Sequence, residues 1–290
     1  MIQEFKTYLT AIRGYSENTA VAYAKDCKTF AKYIKENEPG KRWSTITRED
    51  IDNYIIHLSN TGHKPATLCR HISSISGLYR YMERQGLLTE NPARYESRPK
   101  VGKSIPNTIS VDELSMAMGN AKGLVKTMIQ IIAETGIRLQ ELLNIKREDI
   151  DLGNGTIKIH GKGNKERLVY ISKELASILR SQEANGNKMY FDKITPRECR
   201  RQIWDALKDY CNSPQLSPHA IRHTYATVMA KKGMTATTLQ KALGHERLET
   251  TQRYIDYAQV NVENEIRQLS LFNKYMNDKN IKFSEDEKED

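Results

Sequence analysis

The chain has 290 residues, four cysteines and a formal net charge of +9 at pH 7. That length admits two domains of ordinary size, each with its own core, and no stretch approaches the ~18 apolar residues of a membrane span. The opening MIQEFKTYLTAIRGYSENT lacks the basic-then-apolar order of a secretion signal. Cys27, Cys69, Cys199 and Cys211 form no CxxC pair, so reduced thiols in a cytoplasmic protein are expected, without a disulfide framework or zinc knuckle. Residues 1–258 carry a net +12 and residues 259–290 a net −3. A basic body with an acidic end suits a polyanion such as DNA, although a merely soluble basic protein would have the same total.

In chain order, the first ~90 residues read as short-linked helices. Tyr23, Ala24, Cys27, Phe30, Ala31 and Ile34 recur at helical spacing behind Ser16, a candidate cap. TREDIDNYIIHL offers Thr47 as N-cap, an acidic first turn, and Ile51, Tyr54, Ile55 and Leu58 on one face. Pro65 fits a first helical turn, and Leu68, Ile72, Ile75, Tyr79 and Met82 continue the stripe until Gly86. NPARYESRPKVGKSIP then breaks the periodicity with prolines and basic residues, as an exposed linker does.

Beyond the linker, VDELSMAM and VKTMIQIIAE read as helices, Thr135–Gly136 as a break, and IRLQELLNI as helix again. Ile157 and Ile159 alternate with polar residues, GKGNK makes a turn, and Leu168 to Ile171 form the returning strand. TPRE has the capping-box form ahead of CRRQIWDALKDY. SPHAIRHTYATVMAKKG supplies Ser217 as cap, Pro218 at the first helical position and Gly233 as stop. The expected fold is mainly α: an N-terminal helical bundle over 1–92, a linker over 93–109, a mostly helical domain with a small antiparallel β-sheet over 110–260, and a C-terminal segment over 261–290.

Several motifs carry chemistry. In HAIRH, His219 and His223 have the spacing of a zinc helix, but the glutamate of HExxH is absent and Arg222 would repel a cation. An anion suits it better, because a helix start offers free N–H groups and a guanidinium adds a bidentate fork; a capped surface helix is the plainer alternative. GKGNK lacks the GK[ST] ending of a phosphate loop and places Lys162 and Lys165 on a hairpin tip, where they could enter a DNA groove, donate a proton, or simply be solvated. In TGIRLQELLNI, Glu141 follows Arg138 by three residues, either an ordinary ion pair or a brace for an arginine aimed into a cleft. Tyr254 stands nine residues after His245 in LGHERLETTQRY.

The order TGIR, GKGNKER, HAIRH and LGHERLETTQRY resembles the tyrosine recombinase (phage integrase) family, especially its Xer-like site-specific recombinases. The resemblance covers the second domain in order and spacing, and makes the first similar to the family's core-binding, SAM-like domain. It implies a catalytic set of Arg138, Lys162, His219, Arg222, His245 and the nucleophile Tyr254, with Glu141 supporting. It also implies strand cleavage by tyrosine attack on a phosphodiester, a 3′-phosphotyrosyl intermediate, no cofactor or metal, and a tetramer on a double-stranded DNA site with a Holliday junction intermediate. A second recombinase or accessory protein is a possible partner.

The chemistry makes that set intelligible. A phenol with pKa near ~10 needs a cationic, proton-accepting setting, and two guanidiniums can grip the nonbridging phosphate oxygens. His245 would donate to the same phosphate, His219 is the favoured acceptor for the phenol proton, and Lys162 the favoured acid for the departing 5′ oxygen, though sequence does not separate His219 from Lys162. Tyr257 is the natural control for Tyr254. Xer members often follow the tyrosine with Thr-His, where this chain reads YIDYAQ; with the acidic tail, that favours a mobile-element or divergent Xer role over chromosome dimer resolution. IRQLSLFNKYM, with Ile266, Leu269 and Phe272, is expected to dock on a neighbouring subunit. A type IB topoisomerase-like enzyme and a catalytically silent DNA-binding regulator of the same fold are the alternatives. A silent member would be expected to lack an arginine or the tyrosine, and this chain has them all.

Overall fold

The computed structural model describes residues 1–94, 98–100, 102, 106–161, 165–184, 191 and 194–258. The chain divides into two compact units, Met1–Lys103 and Ser104–Asp290.

The first unit is built from four helices, α1 (Ile2–Ala11), α2 (Glu17–Asn37), α3 (Arg48–Asn60) and α4 (Pro65–Arg84). Ser16 caps α2 by accepting from the Thr19 amide, and Thr47 and Asp50 form a complete capping box on α3. Pro65 opens α4, where its missing N–H costs nothing. The apolar stripes meet in a core of Phe30, Ile51, Tyr54, Leu58, Leu68, Ile75 and Tyr79, continued by Phe5, Leu9, Cys27, Leu78 and Met82. The carboxylates of Asp26 and Asp50 are both buried, and Asp26 has the fuller set of partners. Arg70 Nη1 donates to both oxygens of Asp26, at 2.7 and 2.8 Å, and Ser74 Oγ donates a third bond at 2.8 Å. His71 Nε2 lies 3.3 Å from the same carboxylate.

The second unit begins with α5 (Val111–Asn120), capped by a Ser110–Glu113 box, then α6 (Gly123–Thr135) and the short α7 (Leu139–Leu143). Strands β1 (Ile150–Asp151), β2 (Thr156–His160) and β3 (Glu166–Tyr170) make an antiparallel sheet in that order. Ile157 pairs with Val169 and His160 with Glu166, so GKGNK does close a hairpin. Helices α8 (Lys173–Ala184), α9 (Pro196–Leu207), α10 (Pro218–Lys231), α11 (Ala236–Leu243) and α12 (Glu249–Ala258) follow. The core gathers Met128, Ile131, Ile132, Leu142, Ile157, Ile159, Leu179, Ile203 and Ile221. Among the described residues, no helix is long and apolar enough to cross a membrane.

Three local expectations change. The TPRE box is half formed: Thr195 Oγ1 accepts from the Glu198 amide at 3.2 Å, while the Glu198 carboxylate accepts from Gln202 instead. The IRLQELLNI helix shortens to five residues, because Arg138 stands as its extended N-cap. Strand β1 is too short to leave an alternation in the sequence.

Candidate active site

The site is organised by two glycines that end helices in the left-handed region. Gly136 closes α6 at φ +63° and Gly244 closes α11 at φ +64°. A Cβ on Gly136 would sit 2.3 Å from Tyr225 Cδ1 and 2.9 Å from Leu243 Cδ2, so the turn requires glycine on both counts. The last carbonyls of a helix have no partner within it and carry its negative dipole end. In α11 and its cap these carbonyls take three guanidiniums. Arg167 Nε donates to Ala242 O at 2.9 Å, Arg222 Nη2 to Leu243 O at 2.9 Å, and Arg138 Nη2 to Gly244 O at 2.8 Å.

Arg222 lies one turn into α10, which packs against α6, α11 and α12, and it is only 3% exposed. Its Nη1 donates to Gly136 O and its Nη2 also to His245 Nε2 at 2.8 Å. Burial, followed by the neighbouring Arg138 charge, lowers its pKa to about 10, which still leaves it charged at neutral pH. Arg138 is braced by Glu141, whose carboxylate accepts from the Arg138 amide at 2.8 Å and from its Nη1 at 2.9 Å. Arg167 adds a fork to that carboxylate, at 3.1 and 2.8 Å. Burial acts to raise the Glu141 pKa, but the Arg167 bond, the Arg138 amide and both cationic charges outweigh it and hold it below its usual range.

Four aromatic rings run through the site. His219 stacks on His223 with centroids 6.2 Å apart, His223 lies 5.7 Å from Tyr254, and Tyr254 stacks on His245 at 6.3 Å. Tyr254 is 1% exposed. Its hydroxyl bonds His223 Nδ1 at 2.6 Å and accepts from Arg253 Nη2 at 3.1 Å. Burial first, then Arg222, Arg138, Arg253 and His223, push the His245 pKa down to about 3. It is therefore neutral, and because Nε2 accepts from Arg222, its proton sits on Nδ1 and is donated to the buried Thr251 hydroxyl at 2.8 Å. His223 is lowered to about 4 by burial, then by Arg253, His219 and Arg222. His219 is also lowered, by desolvation and then by Arg222, Arg138 and Arg200, although part of its side chain is open to solvent.

Of the residues picked out by sequence, Arg138, Glu141, Arg222, His245 and Tyr254 meet within one set of bonds and ring contacts. His219 joins only through its stack on His223, and the phenol is bonded to His223 in its place. Lys162 lies outside the described residues, as do the Tyr257 side chain and the whole 261–290 segment. The stem of the Lys162 hairpin is nevertheless beside the site, since a Cβ on Gly161 would be 4.0 Å from Glu141 Oε1. Arg167, His223, Thr251 and Arg253 were not chosen by sequence. The sequence draws attention to His223 only through its spacing from His219, a zinc-helix spacing that the missing glutamate and Arg222 argue against.

The sequence profile of the phage integrase family matches residues 108–260, and that of the phage integrase N-terminal SAM-like domain matches residues 2–86. The chain belongs to the phage integrase family of tyrosine recombinases. It is 31% identical over 274 residues to a tyrosine recombinase of Thermosipho africanus, covering 89% of this chain and 95% of that protein. It is also 31% identical over 289 residues to tyrosine recombinase XerC of Lactobacillus delbrueckii subsp. bulgaricus, covering 92% and 97%. Among solved structures, the fold is similar to that of XerH recombinase bound to its difH substrate, with a TM-score of 0.71, 21% identity, and coverage of 91% of this chain and 84% of that one. A lambda integrase dimer bound to a core site gives a TM-score of 0.68 at 18% identity, covering 88% and 76%. This tyrosine recombinase is thus an enzyme of site-specific recombination, and its arginine cluster has one carboxylate, Glu141, set against three guanidiniums.

Proposed function

We propose that this recombinase cuts and rejoins double-stranded DNA through attack of the Tyr254 oxygen on a phosphodiester, giving a 3′-phosphotyrosyl bond and a free 5′ hydroxyl. The observation that carries the reading is the linkage of Tyr254, through His245, to Arg222 at the end of α11, where Arg138 is also bonded. Three guanidiniums against one carboxylate leave an excess of positive charge, which suits an anionic phosphodiester that gains charge in its transition state. Arg138 and Arg222 would exchange helix carbonyls for the nonbridging phosphate oxygens, assisted by His245 and by His219 at the head of α10. Lys162 is assigned as the acid for the departing 5′ oxygen.

One phosphoester replaces another, so resealing needs no ATP, and the arginines and Lys162 supply the charge that a metal would. The DNA-bound state of the XerH and lambda integrase structures supports a DNA site as partner. Residues 1–92 are assigned as a core-binding domain. Recombination would proceed in a tetramer through a Holliday junction, in the cytoplasm, with the 261–290 segment docking between subunits and a second recombinase or accessory protein as a further partner.

The test needs no known target. The protein is incubated with a pool of nicked duplexes from fragmented host DNA and quenched with SDS, with Tyr254→Phe and Tyr257→Phe in parallel. An SDS-resistant adduct lost only in Tyr254→Phe is the expected result, and sequencing the trapped DNA identifies the site. DNA binding without any adduct would favour the silent regulator.

A further inference from the structure

A tyrosine nucleophile must lose its proton as its oxygen meets phosphorus, and the acceptor must already touch that oxygen. The phenol of Tyr254 is buried, and among the described residues two side chains reach its oxygen: His223 Nδ1 at 2.6 Å and Arg253 Nη2 at 3.1 Å. Arg253 can only donate. Burial, then the charges of Arg253, His219 and Arg222, disfavour the cationic form of His223. The phenol proton is therefore directed at a free lone pair on Nδ1, and the imidazole proton is on Nε2. The Arg253 guanidinium also lies 5.0 Å from the centre of the Tyr254 ring, and its buried Nε has no hydrogen-bond partner among the described residues. A charge developing on the phenol oxygen would strengthen the bond that oxygen already accepts from Nη2.

We propose that His223 is the catalytic base for Tyr254 and that Arg253 holds the charge that forms on the phenol oxygen. This rests on Tyr254 being the nucleophile and moves the proton acceptor one helical turn along α10 from His219. In the step, the Tyr254 O–H bond breaks and its proton passes to His223 Nδ1. The Tyr254 oxygen bonds phosphorus, the phosphorus–O5′ bond breaks, and O5′ takes a proton from the general acid. In religation His223 returns its proton to the phenol. The groups facing His223 are Tyr254 and Arg253 from α12, His219 and Arg222 from its own helix, and His245 from the turn after α11. A phosphodiester bound to Arg222 would neutralise one of the charges that suppress His223 protonation. The base thus gains strength only when substrate is in place, which protects the nucleophile from idle ionisation.

The experiment uses the full-length chain and has two arms. In the first, single-turnover adduct formation on the nicked-duplex pool is followed for His223→Ala and His219→Ala, each with tyrosine or the more acidic 3,5-difluorotyrosine at position 254. His223→Ala should slow adduct formation by ~10²-fold or more, and difluorotyrosine should restore much of that rate in His223→Ala while doing little for His219→Ala. A wild-type rate in His223→Ala, or rescue confined to His219→Ala, overturns the proposal. The second arm is the ¹⁵N spectrum of the free protein, where His223 Nδ1 should be unprotonated at neutral pH and should shift in Tyr254→Phe. A protonated Nδ1, or one indifferent to Tyr254→Phe, overturns the proposal independently of activity. If the wild type forms no adduct while the ¹⁵N result holds, the recombinase chemistry fails and the His223–Tyr254 pair stands.

Discussion

Each unit encloses a polar cluster, and the two are balanced differently. In the first, Asp26 is surrounded by Arg70, Ser74 and His71, and the His71 ring is held by Tyr54 at 2.9 Å. One carboxylate meets one guanidinium, and burial, only partly opposed by Asp26, keeps His71 below its usual pKa. That cluster is satisfied and has no charge left over. In the second, Arg138 and Arg167 share the Glu141 carboxylate, Arg222 feels only its charge, and all three guanidiniums rest on helix carbonyls. A carbonyl is a weaker partner than an anion, so on the proposed function the second cluster is a set of donors that a phosphate would take over. A balanced buried cluster fixes a fold, whereas an unbalanced one waits for a ligand.

Substitutions at matched positions separate the two. Arg222→Gln should lower adduct formation by ~10²–10³-fold, and should also destabilise the second unit, because the carbonyls of Gly136 and Leu243 lose their donor. Asp26→Ala should do the opposite. It should cost the first unit about 2 kcal/mol, since Arg70 can rehydrate but His71 and Ser74 cannot, and leave cleavage chemistry intact in the protein that remains folded. Chemical denaturation and single-turnover cleavage on the same samples distinguish these outcomes.

Arg167→Lys tests whether the brace is geometric. A point charge cannot reproduce the fork on Glu141 together with the bond to Ala242 O, so a roughly 10-fold loss of adduct rate is expected with little change in DNA binding. Gly136→Ala should lower stability by about 1–3 kcal/mol through its positive φ and the Tyr225 contact, measurable as a shift in the denaturation midpoint. The last test is the effect of pH on the second unit. His223 and His245 have folded pKa values of about 4 and about 3, below the ~6.5 of an unfolded histidine. The unfolded chain therefore binds more protons between these values, and stability should fall as pH drops from ~6.5 towards 4. A slope across that window that is much shallower in His223→Gln/His245→Gln than in the wild type, with His219 supplying the remainder, would confirm the origin.

Much of the fold was legible because its signals are local. Ser16, Thr47, Ser217 and Pro218 cap or open helices where the sequence indicates, since a cap bonds an amide two or three residues away. Asp26 was not legible as a buried group, because its partners come from a helix more than forty residues later. Arg167 was passed over for the same reason: the carbonyl it holds belongs to Ala242, and only folding brings β3 to the end of α11.

By itself the sequence determined the helical architecture and the hairpin, because caps and periodicity are properties of neighbouring residues, and its resemblance to tyrosine recombinases made Arg138, Arg222, His245 and Tyr254 candidates. Tertiary structure decided which histidine meets the phenol. His219 and His223 are four residues apart and lie on one face of α10, so nothing along the chain distinguishes them. The packing of α12 across α10 places the Tyr254 hydroxyl over the second turn instead of the first, and that position gives the proton a neutral acceptor and its oxygen a cation.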